Sequence, residues 1–175
     1  ESLKLQLQAL GCTDVGVLPV GLDWSHLSEN RAADQIKARE ALGVQPIGPI
    51  VGYVGRLEAD KEPLAALEAF ARFKQEFGEG RLLVLGEGSM KSELSALADA
   101  LGVRQDVQFV PRIEQTSIWK FYRSIDVLIN TNRNEIFGMC LLEAAFFGRP
   151  VVAVSAPGPN MIIAPGETGF LVDLG

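Results

Sequence analysis

The sequence predicts a doubly wound α/β domain, a parallel sheet with helices on both faces. Three observations carry that expectation. Segments of strand and helix character alternate through most of the 175 residues. The strand segments are short apolar runs such as RLLVLG (81–86) and VVAV (151–154), bounded by glycine or proline. The loops at 55–61, 86–89, 111–114 and 131–138 hold the residues suited to chemistry, and each follows a strand. Ligands of doubly wound sheets bind at that end of the strands.

Taken in order, residues 1–10 (ESLKLQLQAL) suit helix or strand, because the alternation of Leu3, Leu5 and Leu7 competes with good helix formers; Gly11 ends the segment. VGVLPV (15–20) reads as a strand and 21–27 as the turn after it, with Asp23 as a cap and His26, the single histidine, as a surface or capping residue. Residues 28–43 read as one polar helix with a serine or asparagine cap and Gly43 as its stop. PIGPIVGYVG (46–55) is a strand. A helix then starts at Pro63 with an apolar face of Leu64, Leu67, Phe70, Ala71 and Phe77, and Glu68, Arg72 and Glu76 on the solvated side. After RLLVLG comes a helix of Leu94, Leu97, Ala98 and Leu101 closed by Gly102. VQFVP (107–111), a short helix in QTSIWKFYRS, and DVLIN (126–130) follow. The end, 165–175, offers a turn and a last strand. No linker, repeat or low-complexity tract divides the chain, so a single domain over 1–175 is expected.

The central stretch is EIFGMCLLEAAFFGRP (135–150), read as a loop, a helix and the approach to the VVAV strand. Bare N–H groups at Phe137, Gly138 and Met139 would make the helix start an anion site. Seven of the nine residues in MCLLEAAFF are aliphatic or aromatic, so Glu143 has no polar face to join. On one ideal helix, Glu135 and Glu143 would be separated by ~12 Å of rise and ~80° of rotation. That is too far for the paired carboxylates of a glycosidase, which sit ~5–9 Å apart. The spacing suits a grip on two ends of an extended ligand; a buried salt bridge at Glu143 is the alternative.

Arg56 and Lys61, just past a strand end, supply the fork and point charge suited to a diphosphate. Gly86-Glu87-Gly88 lacks the third glycine of a dinucleotide fingerprint, which argues against NAD. A formal charge of −6 and a pI near 4.9 argue against a nucleic-acid partner. One histidine and two cysteines distant in sequence, with no Asp-x-Asp, predict no metal site, and the lone cysteines fit a reducing, cytoplasmic compartment. No apolar run is long enough for a transmembrane segment. Glu1 is not a natural start, so further N-terminal sequence is expected.

These motifs resemble the retaining glycosyltransferases of family 4, and the resemblance covers nearly the whole chain. Glu135 and Glu143 match the E-x7-E signature; Gly55-Arg56-Leu57 with Lys61 matches "G-R-L-x-x-x-K-G", with Glu62 in place of the last glycine. Gly86-Glu87-Gly88 falls at "G-x-G-P", with Ser89 for proline. Val110-Pro111-Arg112 falls at "F-L-G-x-V", and Met161 stands at a commonly acidic position of "G-P-K-E-I-I", where methionine reads as a core residue.

The resemblance implies the C-terminal, donor-binding half of a GT-B fold, with an N-terminal acceptor domain outside the chain. Arg56 and Lys61 would stabilise the departing diphosphate and Glu135 would face the transferred sugar, these three being the catalytic candidates. Phe137, Gly138 and Met139 would present amides, Glu143 would hold the ribose, and Gly55, Gly86 and Arg112 would line the nucleotide. The expected partners are a nucleotide-diphosphate sugar as donor, with no separate cofactor, and an acceptor sugar, lipid or small molecule bound through the missing domain. A longer protein could also sit peripherally on a membrane. A non-catalytic binding module and a nucleotide-sugar epimerase are the rival readings.

Overall fold

The computed structural model describes residues 2–15, 24–28, 30–45 and 47–173. The strand expected at 15–20, the cap at Asp23 and the side chain of His26 lie outside the described residues. Three helices open the chain: α1 (Ser2–Ala9), α2 (Ser25–Ser28) and α3 (Gln35–Ala41). The leucine alternation of the first segment therefore yields to its helix formers.

The helix expected over 28–43 is shorter than its composition suggests. Residues 30–33 are spent in turns, and Asp34 starts the helix by accepting the Ile36 N–H at 2.7 Å. A carboxylate at that position satisfies an orphan amide better than a longer helix would.

The sheet is built from β1 (Ile50–Val54), β2 (Arg81–Leu85), β3 (Val107–Val110), β4 (Val127–Asn130), β5 (Val151–Val154) and β6 (Gly169–Val172). They run parallel in the order β3-β2-β1-β4-β5-β6. Between them lie α4 (Pro63–Phe77), α5 (Lys91–Ala100), α6 (Trp119–Ser124), α7 (Met139–Phe146) and α8 (Pro157–Ile162). Strand β1 starts at residue 50 rather than 46, because Gly48 is left-handed and Pro49 has no N–H to give a ladder.

Each face of the sheet has its own core. Val51, Leu82 and Val84 pack under α4 and α5 through Leu67, Phe70 and Leu94. Ile50, Leu83, Leu128 and Val151 pack under α6 and α7 through Phe121, Ile125 and Leu141. Alternate residues of β1 and β2 thus enter different cores, which accounts for their unbroken apolar runs. The crossovers carry the chain outward from β1 to β3, then back past β1 to β4. The direction of winding therefore reverses between β1 and β4.

Two apolar expectations fail at the surface. Phe77 is 66% exposed and stacks on Phe73 in the last turn of α4, not on the sheet. Met161 is 71% exposed on α8, so it fills no core gap. The apolar girth of α7 has its explanation in Phe146, which stacks on Trp24 at 4.6 Å while Leu141, Ala144 and Phe147 face the core. Among the described residues no helix is long and apolar enough to cross a membrane.

Candidate functional site

A cleft of about 310 Å³ opens at the carboxyl ends of β1 and β4, where the winding reverses. Such a switch point is where doubly wound sheets bind ligands. It brings together Gly55, Lys61, Glu135, Phe137, Gly138, Met139 and Glu143. Of the other residues that line it, the polar side chains of Tyr53, Asn130, Thr131 and Asn132 were not singled out by the sequence.

Glu135 sits in the loop before α7, not on the helix, so the ideal-helix separation of the two glutamates does not apply. Its Oε1 accepts the N–H of Gly138, the helix N-cap, at 3.1 Å. The Gly138 amide is therefore not bare, which corrects one of the three expected donors. Those of Phe137 and Met139 donate to no protein group among the described residues. Gly138 adopts φ 81°, a left-handed geometry that suits only glycine at this tight entry. Oε2 of Glu135 accepts from Asn132 Nδ2 at 2.9 Å and lies 3.6 Å from Lys61 Nζ. Partial burial pushes the carboxyl pKa up. The Asn132 hydrogen bond, the Lys61 charge, the Gly138 N–H and Asn130 outweigh it and hold Glu135 below the usual carboxylate range.

Asn132 and Asn130 are buried and order this loop. Asn130 Oδ1 accepts the Asn132 N–H at 3.1 Å, and Asn132 Oδ1 accepts the Asn134 N–H at 3.0 Å. These are successive Asx turns, and the alternating asparagines of Asn-Thr-Asn-Arg-Asn were the available signal.

Glu143, half-buried on α7, has no ion-pair partner among the described residues, which removes the salt-bridge alternative. It accepts from the Tyr122 hydroxyl at 2.5 Å and from Gln115 Nε2 at 3.2 Å. Burial, then the charges of Glu143 and Cys140, push the Tyr122 phenol far above its ordinary pKa, so Tyr122 is fixed as a donor.

A second cleft, about 570 Å³, shares Val54 and Gly55 with the first and is lined by Arg56, Gly86, Glu87, Arg112 and Gln115. Arg56 and Arg112 thus lie beside the switch-point cleft rather than in it. Gln115 lines one cleft and bonds Glu143 of the other, so the two make one continuous crevice. Arg56 is exposed and paired with Asp60 at 2.9 Å.

The close approach of the loops after β1 and β2 depends on Gly86: a Cβ there would fall 1.9 Å from the Gly55 carbonyl oxygen. The loop after β1 is tied on both sides. Glu58 accepts the N–H of Ser89 at 3.0 Å and its hydroxyl at 2.6 Å. Glu62 meets Arg133 at 3.1 Å. Both Ser89 and Glu62 are departures from the family motif, and both hold this loop.

The sequence pattern of "Glycosyl transferases group 1" matches residues 34–175. The chain belongs to that family. It is 34% identical over 163 residues to a D-inositol 3-phosphate glycosyltransferase of Segniliparus rotundus, covering 91% of this chain and 36% of that protein. The chain thus spans about a third of the length of this curated relative. Among solved structures, the C-terminal domain of LpcC, a group 1 glycosyl transferase from Francisella tularensis, superposes with a TM-score of 0.75 at 24% identity. That match covers 87% of this chain and 80% of the domain, and it shows the shared fold. Anabaena HepE in complex with UDP and glucose matches with a TM-score of 0.70 and 26% identity, over 81% of this chain and 39% of HepE. The doubly wound sheet is accordingly the C-terminal half of a GT-B glycosyltransferase fold.

Proposed function

We propose that this chain is the donor-binding domain of a retaining glycosyltransferase that moves a sugar from a nucleotide-diphosphate sugar to an acceptor. The observation that carries the reading is the convergence, at the switch point, of Lys61, Glu135 and the amide end of α7 on one cleft that continues to Arg56 and Arg112. The UDP and glucose bound to HepE support a donor of that class. The diphosphate lies against Lys61, Arg56 and the free amides of Phe137 and Met139, where the helix dipole adds to the positive potential. Glu143 receives the ribose hydroxyls, and the base extends towards Gly86 and Arg112.

The chemistry follows from where charge develops. As the sugar–phosphate bond breaks, negative charge grows on the diphosphate, and fixed cations stabilise the transition state more than the bound donor. Glu135, held ionised and beside Lys61, faces the sugar and favours the positive charge building at its anomeric carbon. In this reading the cations Lys61 and Arg56 neutralise the donor without a metal. The acceptor, a sugar, lipid or small molecule, is bound by a preceding domain of the longer protein, which works in the cytoplasm.

Calorimetric titration with a panel of nucleoside diphosphates, then their sugars, tests the reading. Binding of a nucleotide-diphosphate sugar, unchanged by chelator, is the expected result; no binding of any member would overturn it. The anomeric configuration of the longer enzyme's product tests retention.

A further inference from the structure

Two ion pairs bridge the loops on either side of the crevice, and their signs are crossed. Lys61, after β1, reaches Glu135 at 3.6 Å, while the next residue, Glu62, reaches Arg133 at 3.1 Å. The first pair lies inside the cleft. The second sits at its mouth, with the Glu62 side chain 27% and Arg133 56% exposed.

Glu62 is the one non-glycine residue with positive φ among the described residues, at 49°. Side chains persist in that region only where the surroundings over-determine them, and such positions gather at functional sites. Here the Glu62 carbonyl accepts the Thr131 hydroxyl at 2.7 Å, and the Lys61 carbonyl accepts the Tyr53 hydroxyl at 3.2 Å. The backbone at 61–62 is therefore pinned to the ends of both β4 and β1. A glycine, the residue of the family motif, would take this conformation freely but could not extend the tie. The Glu62 carboxylate carries it to residue 133, two residues before Glu135.

We propose that Glu62 and Arg133 are a positioning pair, whose ion pair across the crevice sets the separation of Lys61 from Glu135. Its consequence for ligands rests on the donor reading above: the spacing that suits Lys61 to Glu135 also sets the width available to a diphosphate sugar. Neither residue lines the cleft itself, so both act through their neighbours.

The Glu62 half of the pair makes a prediction that its own charge opposes. Besides Lys61, Glu135 faces Asn130, Asn132, the Gly138 N–H and, across the same cleft, the Tyr53 phenol and the Cys140 thiol, both of which burial, reinforced by its charge, holds protonated. Removing the Glu62 charge by Glu62→Gln takes a negative group away from Glu135, and by direct field alone would lower the Glu135 pKa. Loss of positioning lets Lys61 drift, and raises it. Carbon-detected NMR titration of Glu135 in this chain separates the two.

The expected result is a higher Glu135 pKa in Glu62→Gln and in Arg133→Gln, no further rise in the double variant, and the wild-type value in Arg133→Lys. A lowered or unchanged value in Glu62→Gln, with the melting temperature retained, overturns the proposal. In parallel, each single variant should weaken UDP-sugar binding about threefold, the scale of one exposed charge pair, and the double variant no more than either. Additive losses count against the pair. If the wild-type chain binds no nucleotide sugar, the donor reading fails, and the NMR result alone decides the positioning role.

Discussion

The phenol of Tyr122 and the carboxylate of Glu143, 21 residues apart, are joined by a 2.5 Å hydrogen bond that connects the core to the crevice. Tyr122 is fully buried on α6, so the bond fixes one rotamer of Glu143 on α7. Tyr122→Phe keeps the packing and removes the donor. It should cost about 1–2 kcal/mol in urea denaturation, within the range for hydrogen bonds to charged groups. Because the folded phenol titrates far above its ordinary 10.0, this residue's stability contribution is complete below pH 10 and is lost as pH rises beyond it. Denaturation between pH 8 and about 11 should show the loss in wild type and not in Tyr122→Phe.

Glu135 sets the acid side. Its folded pKa is depressed below the ordinary 4.5, so its contribution is present above 4.5 and lost as pH falls through the lower folded value. Lys61→Met removes one depressing charge. The Glu135 titration should then move up, and part of the acid-dependent loss of stability should disappear. An unchanged titration would mean that the 3.6 Å contact is not maintained in solution.

Arg56 and Glu143 should separate kinetically in the longer enzyme. Arg56→Ala should lower kcat by about a hundredfold, the cost of one preorganised charge-stabilising donor. Glu143→Gln weakens hydrogen bonds remote from the reacting bond and should raise KM for the donor more than it lowers kcat. Arg56→Ala should leave folding almost untouched, since its exposed pair with Asp60 is worth at most about 1 kcal/mol. An unchanged kcat would return Arg56 to the ordinary surface.

Gly86→Ala should be the most disruptive small substitution at the crevice. The added methyl meets a backbone oxygen at 1.9 Å, and a backbone atom cannot rotate away. The loops after β1 and β2 must part, at a cost of about 1–3 kcal/mol. Thermal denaturation should show it, together with weaker nucleotide binding. A variant as stable as wild type would show that these loops yield readily.

Much of the scaffold was legible because the strands announce themselves. Runs such as RLLVL and VVAV, set between glycines and helical periodicity, require a sheet buried on both faces. The loops beyond their ends contained Arg56, Lys61 and Glu135, and the following helix Glu143, at readable spacings. The ties that shape those loops were not legible. Glu143 with Tyr122, Glu58 with Ser89 and Glu62 with Arg133 are 21, 31 and 71 residues apart, and no local pattern records such pairings. Glu135 was read as a loop residue before the helix, but the hydrogen bond by which it accepts the Gly138 N–H and caps that helix from outside left no mark in the sequence. Phe77 and Met161 misled for the opposite reason: an apolar side chain at helical spacing can still fall where its helix overhangs nothing.

The two thiols of the chain differ in their chemistry. Cys12 is exposed, whereas Cys140 is half-buried in the wall of the cleft, where it receives the Asn130 amide at 3.6 Å. Burial, opposed by that amide and reinforced by the charges of Glu135 and Glu143, pushes the Cys140 thiol up to about 12. Alkylating agents consume thiolate, and Cys140 has almost none at neutral pH. A maleimide dye will therefore modify the unaltered sequence at position 12 alone. The wild-type chain can carry a single reporter without any cysteine having first to be engineered out.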